Sequence, residues 1–328
     1  MSEKTILVTG GAGYIGSVCT ELLLTLGYRV IVIDNLQTGY LNAVHPKAQF
    51  VKGNIGNKSL LARLFKSNSI QAVIHFAAET LVTTANTNPQ SYLRNNLVRS
   101  INLLDAMLEY GCHQIVFSST AAVYGEPVDV PIKETHSTNP LNAYGDTKLM
   151  FEKILFYYAK AYGLKSIIFR YFNAAGCTDL YGEAHDPETH LLPLILRVPL
   201  KQADNINVYG NDYDTRDGTC VRDYVHVSDI ANAHVLALEK MQHVKSSIYN
   251  LGNETGFTVQ EVIATCEKVT KCTIPVVNKP RRVGDPARLI ASSEKVRREL
   301  NWVPIYTDLE AIVESSWIWH SRYRRGYG

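Results

Sequence analysis

Residues 5–17 read TILVTGGAGYIGS. An apolar run leads into Gly10, Gly13 and Gly16, and YIGSVCTELLLTLG (14–27) then carries apolar residues at helical spacing and ends in glycine. A strand that turns through glycines into a helix brings backbone N–H groups and the positive end of the helix to one point, an arrangement that accepts a pyrophosphate. The usual dinucleotide fingerprint is G-x-G-x-x-G; here the spacing is G-x-x-G-x-x-G. The extra residue lengthens the turn without removing the close backbone approach that glycine permits. The alternative is a glycine-rich turn with no ligand.

Outward from this stretch, RVIVIDN (29–35) is a second strand, and AQFVKGNI (48–55), AVIHFAA (72–78), QIVFSS (114–119) and SIIFRYF (166–172) follow. Helical patterns lie between them at about 58–67, 90–110 and 143–162. Strands apolar along their whole length are buried on both faces, so the alternation predicts a doubly wound α/β fold with a mostly parallel sheet. Beyond about residue 172 the rhythm breaks. LLPLILRVPL (191–200) reads as a short apolar helix, and NDYDTRDGTCVRDYVHV (211–227) as turn-rich. SDIANAHVLALEKM (228–241) reads as a strong helix with Ser228 or Asp229 as N-cap. The C-terminal third is expected to supply short helices and loops, forming a smaller lobe over the carboxyl edge of the sheet, where ligands of open α/β sheets bind.

Charge narrows the partners. With 33 basic and 31 acidic side chains the net charge is +2, and no basic tract stands out, which argues against nucleic acid or an anionic membrane as the main partner. The six cysteines form no C-x-x-C pair and sit beside no suitably spaced histidine pair, so no metal site is expected and the thiols are read as reduced and packed. The short apolar start lacks the core of a signal peptide, and no run approaches a membrane span; a soluble, cytoplasmic protein is expected.

Two features add chemistry. Asp34 ends the second strand, where an acid accepts hydrogen bonds from ribose hydroxyls and repels a 2′-phosphate, favouring NAD over NADP. A strand-end cap is the plainer reading of the same residue. NAYGDTKLMFEK (142–153) places Tyr144 and Lys148 at i and i+4 on one helix face. A tyrosine is a weak base, but a nearby ammonium stabilises its phenolate. The pair follows VFSSTAAVYG (116–125), whose Ser118, Ser119 and Thr120 bring hydroxyls to a strand end.

With TGGAGYIG, DNL, VIHFAA, YLRNN, VFSSTAAVYGEP, AYGDTK, RYFNAAG, HLLPLI, GNDYDTRDGTCVRDYVHV, YNLG and RRVGDPA in order, the chain resembles the extended short-chain dehydrogenase/reductases, and among them the UDP-hexose 4-epimerases, over essentially its whole length. The resemblance implies a Rossmann-like NAD-binding domain at 1–172, also receiving about 226–250, and a mainly substrate-binding lobe at 173–328. It implies NAD contacts at the glycine turn (Gly10, Gly13, Tyr14, Ile15, Gly16), at Asp34, Asn35, Asn54 and Ile55, and at Phe76, Ala77, Ala78, Asn95, Lys148 and Phe172. A UDP-sugar would meet Thr120, Tyr144, Asn173, His190, Leu191, Tyr209, Arg222 and Arg282. Arg222 and Arg282 suit a diphosphate because a guanidinium forks onto it. An ion pair of Arg222 with Asp223 or Asp217 is the structural alternative. Tyr209 could pack on a uracil ring.

The implied reaction is inversion at C4 through a 4-keto sugar, with Tyr144, Lys148 and Thr120 catalytic and NAD acting as a bound catalyst. Asn54 stands where relatives usually carry Asp, Thr80 where some carry lysine, and His190 where some carry asparagine. Leu289 falls near a position whose bulk limits C2 substituents, so a 4-epimerase of N-acetylated, pentose or uronate UDP-sugars is the alternative. A sugar-nucleotide 4,6-dehydratase is disfavoured because Ala121 and Ala122, not an acid pair, follow Thr120. A non-catalytic NAD sensor would need none of Thr120, Tyr144 and Lys148. Apolar residues in LLDAMLEY and LMFEKILFYYAKAY either cover the sheet or pair two copies; a homodimer is expected by resemblance.

Overall fold

The computed structural model describes residues 4–282 and 284–328; residues 1–3 of the MSEK end and Val283 of the RRVGDPA stretch lie outside the described residues. Strand–helix units open the chain: β1 (Thr5–Thr9), α1 (Tyr14–Thr25), β2 (Arg29–Asp34), β3 (Gln49–Lys52), α2 (Lys58–Ser67) and β4 (Ile70–His75). Two short turns, α3 (Val82–Ala85) and α4 (Pro89–Tyr92), lead through a π-helical segment at Leu93–Val98 into α5 (Arg99–Glu109). Then come β5 (Gln114–Thr120), α6 (Ala143–Tyr162) and β6 (Lys165–Tyr171).

The remainder contains β7 (Asn173–Ala175), α7 (Leu191–Leu196), β8 (Ile206–Tyr209), β9 (Val221–His226), α8 (Val227–Lys240) and β10 (Ser247–Leu251). It closes with β11 (Gly256–Thr258), α9 (Val259–Thr270), β12 (Val276–Lys279), β13 (Arg288–Leu289), α10 (Glu294–Leu300) and α11 (Leu309–Arg322).

Seven parallel strands form the central sheet in the order β10-β6-β5-β4-β1-β2-β3. Both faces are covered, which is why its strands are apolar throughout. One face packs Val18 and Leu23 of α1 with Ile230 and Leu238 of α8; the other packs Leu61 and Phe65 of α2, Met107 of α5 and Phe151 of α6. The order reverses between β1 and β4, so the crevice for a ligand opens at the carboxyl ends of these two strands.

The late part of the chain departs from the expectation of helices and loops. β9 is a wholly buried strand inside the stretch read as turn-rich; it pairs with β11, β13 and β7. Its charges are no obstacle to burial. Asp223 accepts backbone N–H bonds from Asn253 at 2.7 Å and from Glu254 and Ala291 at 3.0 Å. β8 pairs with β12.

The start of α8 is also corrected. The N-cap is His226, whose Nδ1 accepts from Ser228 N–H at 3.1 Å, and not Ser228 or Asp229. Asp229 is committed elsewhere: its two carboxylate oxygens accept from the backbone N–H groups of Ile305 and Tyr306 at 2.8 and 2.9 Å. All six cysteines are unpaired, five of them buried. Among the described residues no helix is long and apolar enough to cross a membrane.

Candidate active site

The glycine turn sits at the end of β1. Gly10 has φ +73°, and a Cβ there would lie 2.6 Å from Ala77 N, so the chain after β4 passes directly over it. A Cβ on Gly16 would lie 2.2 Å from Gly10 O, so α1 can approach the turn only without a side chain. Gly13 differs. It is the N-cap of α1, makes no side-chain cap bond, and a Cβ on it would meet only Gly10 O, at 3.4 Å. Its missing side chain leaves space in front of a twelve-residue helix with no acid in its first turn. That cradle fits an anionic pyrophosphate.

Around it opens a cleft of about 770 Å³ lined by Gly10, Gly13, Tyr14, Ile15, Gly16, Asp34, Asn35, Asn54 and Ile55, by Phe76, Ala77 and Ala78 after β4, by Asn95 of the π-helical segment and by Phe172 after β6. Thr120, Tyr144, Lys148, Asn173, His190, Leu191, Tyr209, Arg222 and Arg282 line the same cleft, as do Thr80 and Leu289. Every candidate residue named from the sequence therefore faces one space.

Asp34 is both a cap and a cleft residue: its carboxylate accepts from Ala12 N at 3.1 Å and Leu36 N at 2.8 Å, fixing the glycine turn, and burial pushes its pKa up. Asn54 Oδ1 is taken by Gly56 N–H at 2.7 Å. The π-helical segment was not visible in the sequence, where 90–110 reads as one helix. It lets adjacent asparagines serve two tasks. Asn96 holds the backbone of Glu79 at both its N–H (2.7 Å) and its carbonyl (2.9 Å), while Asn95 donates to the Glu79 carboxylate. Asn95 Oδ1 is buried on the cleft wall with no hydrogen-bond partner. An orphaned acceptor is costly unless a ligand donor meets it. The cradle at Gly13 and this acceptor both fit a dinucleotide.

α6 starts at Asn142, whose side chain caps Gly145 N–H at 2.9 Å, so Tyr144 and Lys148 fall on successive turns of the helix. Lys148 is 3% exposed. Its Nζ donates to Ser118 O at 2.7 Å and lies 5.9 Å from the centre of the Tyr144 ring. Burial lowers the Lys148 pKa to about 7, against the opposing charge of Glu152, and burial raises that of Tyr144 to about 12, against a hydrogen bond with Thr120. The protein alone thus keeps Tyr144 a phenol at neutral pH. Thr120 Oγ1 accepts from Ala122 N–H at 3.1 Å, which leaves its hydroxyl hydrogen free to donate.

The lowered lysine pKa has a measurable sign. A free lysine titrates near 10.4, so between about pH 7 and 10 the unfolded chain holds a proton that the folded chain does not, and this group makes stability rise with pH. In NAD-free protein, Lys148→Met should be most stabilised relative to wild type at pH 7 and below, with the difference in Tm shrinking towards pH 10. Calorimetry at several pH values checks this; a pH-independent difference would show that the amine is not held against its charge.

In the second lobe Arg222 does not pair with Asp223 or Asp217. It donates to Asp285 and to Val221 O at 2.7 Å, while Asp217 accepts from Thr219 and Thr258. Arg282 stands 4.0 Å above the Tyr209 ring, so that ring has one face already taken by a guanidinium. One cluster went unseen in the sequence: Glu183, His185 and His190, spaced E-x-H-x-x-x-x-H, bring their donor atoms within 4.8 Å of one another on the cleft wall. Glu188 lies against His190 Nδ1 at 2.8 Å, and these carboxylates raise the pKa of the half-exposed His190 to about 9, against the opposing effect of desolvation.

Residues 6–252 match the NAD dependent epimerase/dehydratase family. A UDP-glucose 4-epimerase of Halalkalibacterium halodurans is 50% identical over 325 residues, covering 98% of this chain and 97% of that protein. A crystal structure of a UDP-glucose 4-epimerase superposes with TM-score 0.97 at 46% identity, covering 99% of this chain and 100% of the other. That of the Brucella ovis UDP-glucose 4-epimerase in complex with NAD gives TM-score 0.93 at 41% identity, covering 96% and 97%. The chain belongs to the NAD-dependent epimerase/dehydratase family and, within it, to the UDP-glucose 4-epimerases.

Proposed function

We propose that this chain interconverts UDP-glucose and UDP-galactose by inverting C4 of the hexose, with NAD resident in the cleft. The observation that carries the reading is the meeting of Tyr144, Lys148 and Thr120 with the glycine cradle on one side and Arg222 and Arg282 on the other, in a single cleft. Gly10, Gly13, Gly16, Asp34 and Asn95 would hold the cofactor. NAD bound there would supply a reversible hydride acceptor and a positive charge in the cleft.

Tyr144 takes the proton from the sugar 4-hydroxyl and later returns it. Lys148, 5.9 Å from the Tyr144 ring, favours the phenolate over the phenol. Thr120, hydrogen-bonded to Tyr144 without substrate, would turn its hydroxyl to the same sugar oxygen. Arg222 and Arg282 anchor the diphosphate, so the 4-keto sugar can present its opposite face without leaving. Because the hydride returns, no net oxidation occurs. Ala121 is buried and Ala122 lines the cleft beside Thr120 without an acid or base, which disfavours loss of water. Purified protein given UDP-galactose, with UDP-glucose detected by a coupled dehydrogenase, tests the assignment; absence of product would reject it.

Leu289 favours a second reading on the sugar. It lies in register with Arg222 and lines the cleft, where its modest bulk leaves room at C2. UDP-N-acetylgalactosamine is accordingly expected to be turned over as well, and Leu289→Tyr to reduce kcat/KM for it by at least about 10-fold while sparing UDP-galactose. Equal losses on both substrates would contradict a role at C2.

The homodimer belongs to the same proposal. The inner faces of α5 and α6 cover the sheet, but Met150, Phe156 and Tyr157 remain 42%, 40% and 71% exposed on the outer face of α6. A two-fold pairing would bury them against their copies. Light scattering should give twice the chain mass, and Phe156→Arg with Tyr157→Glu should give the monomer mass; a wild-type monomer contradicts the pairing. The unpaired thiols suit the reducing cytoplasm.

A further inference from the structure

The loop between β7 and α7 carries a cluster of which only His190 has been named as a UDP-sugar contact. Glu183 and Glu188 have side chains only 6% and 3% exposed, so two carboxylates are out of water together. Two imidazoles face them. His185 Nδ1 bonds one oxygen of Glu183, His190 Nδ1 lies 3.8 Å from the other, and the same His190 Nδ1 lies 2.8 Å from Glu188. The imidazole centres are 5.2 Å apart. Close by, within electrostatic reach of both acids, His320 buries an Nε2 that has no hydrogen-bond partner.

We propose that Glu183, His185 and His190 form a binding site for a divalent cation of the zinc class in the wall of the cleft. Nitrogen and carboxylate donors in a His₂Glu set suit zinc, which holds each at about 2.0–2.2 Å. Donors bound to one tetrahedral ion at that length stand about 3.3 Å apart. The three donor atoms already lie within 4.8 Å of one another, so side-chain rotations of about an ångström would bring them onto a common ion. A bound cation would set positive charge against two carboxylates held out of water, Glu183 and Glu188. Three protein donors leave a coordination position open, and it faces the cleft because all three residues line it. Water or a ligand oxyanion would complete the shell. The site would tie the loop to α7, since His190 directly precedes that helix.

The test uses full-length protein and Zn²⁺ alone. After dialysis against chelator, the protein should take up one equivalent of Zn²⁺ by calorimetry and by elemental analysis, with Kd below micromolar, and Co²⁺ should give the absorption of a low-coordinate N/O site. The single variants His185→Gln and His190→Gln should each weaken binding by at least about 100-fold, since even residues that only orient metal ligands cost 10–100-fold. Cys272→Ser removes the exposed thiol and should change nothing. Wild-type protein without a tight equivalent would overturn the proposal, leaving two imidazole–carboxylate pairs. So would folded His185→Gln or His190→Gln protein that binds as wild type does. The Co²⁺ spectrum of the wild type decides the matter if the variants fail to fold.

Discussion

Tyr144→Phe is expected to fold, to retain NAD and to lose about 10³-fold in kcat. The substitution removes one oxygen from a side chain on the second turn-facing position of α6, and the phenyl ring keeps its packing beside Lys148. What is lost is the phenol hydroxyl hydrogen-bonded to Thr120. In the protein alone burial holds Tyr144 up at about 12 and Lys148 down at about 7, so at neutral pH the phenol keeps its proton and the amine is only about half charged. A cation bound next to the phenol would add to Lys148 in favouring the phenolate, which would tie proton removal to an occupied cleft. The companion expectation concerns pH: as Lys148 loses its proton above about 7 in empty protein, NAD-free enzyme should differ from loaded enzyme in its titration. Turnover by Tyr144→Phe within about 10-fold of wild type, with NAD bound, would remove Tyr144 from the chemistry.

The glycine turn yields the second large effect, as a contrast between neighbours. Gly16→Ala forces a Cβ to 2.2 Å from Gly10 O and 2.9 Å from Gly11 Cα, both backbone atoms that cannot swing aside. α1 must then move off the turn. We expect a loss of about 1–3 kcal/mol in stability, and NAD binding weakened beyond detection at micromolar cofactor. Gly13→Ala meets only Gly10 O at 3.4 Å, so the NAD-free Tm should stay within a degree or two of wild type. Its affinity for NAD should still fall, because the methyl group stands where the ligand must approach. Thermal melts with and without NAD separate the two. Wild-type NAD affinity in Gly13→Ala would mean that the space in front of α1 is not the pyrophosphate cradle.

The sheet was legible because its strands are continuous apolar runs, a pattern that only burial on both faces permits. The glycine turn, Asp34, Thr120, Tyr144 and Lys148 were legible for a related reason, since they sit at strand ends or on the helix after β5, whereas Asn95, His190, Leu191, Tyr209, Arg222 and Arg282 were named only through the family resemblance. What failed to show had its cause far away in sequence. Asp229 looks like an N-cap, yet Ile305 and Tyr306 claim its carboxylate. Arg222, read as a diphosphate contact with an Asp223 or Asp217 ion pair as the alternative, meets Asp285, 63 residues away. β9 carries Arg222 and Asp223, which local pattern assigns to solvent, and both are buried because distant backbone and side-chain partners satisfy them. The π-helical segment at Leu93–Val98 is invisible to a helical periodicity, since it changes the period only for one turn, and its reason is the Glu79 backbone held by Asn96. The Glu183–His185–His190 grouping depends on a loop fold that no repeat encodes.

The central claim is that one hydrogen leaves C4 as hydride and returns to the same carbon within the cleft. The most direct measurement follows that hydrogen. UDP-galactose carrying deuterium at C4 would be incubated with the protein in ordinary water without added NAD, and the product examined by NMR and mass spectrometry. The account predicts UDP-glucose with its C4 deuterium fully retained; exchange of that label with solvent, or no UDP-glucose at all, would contradict it.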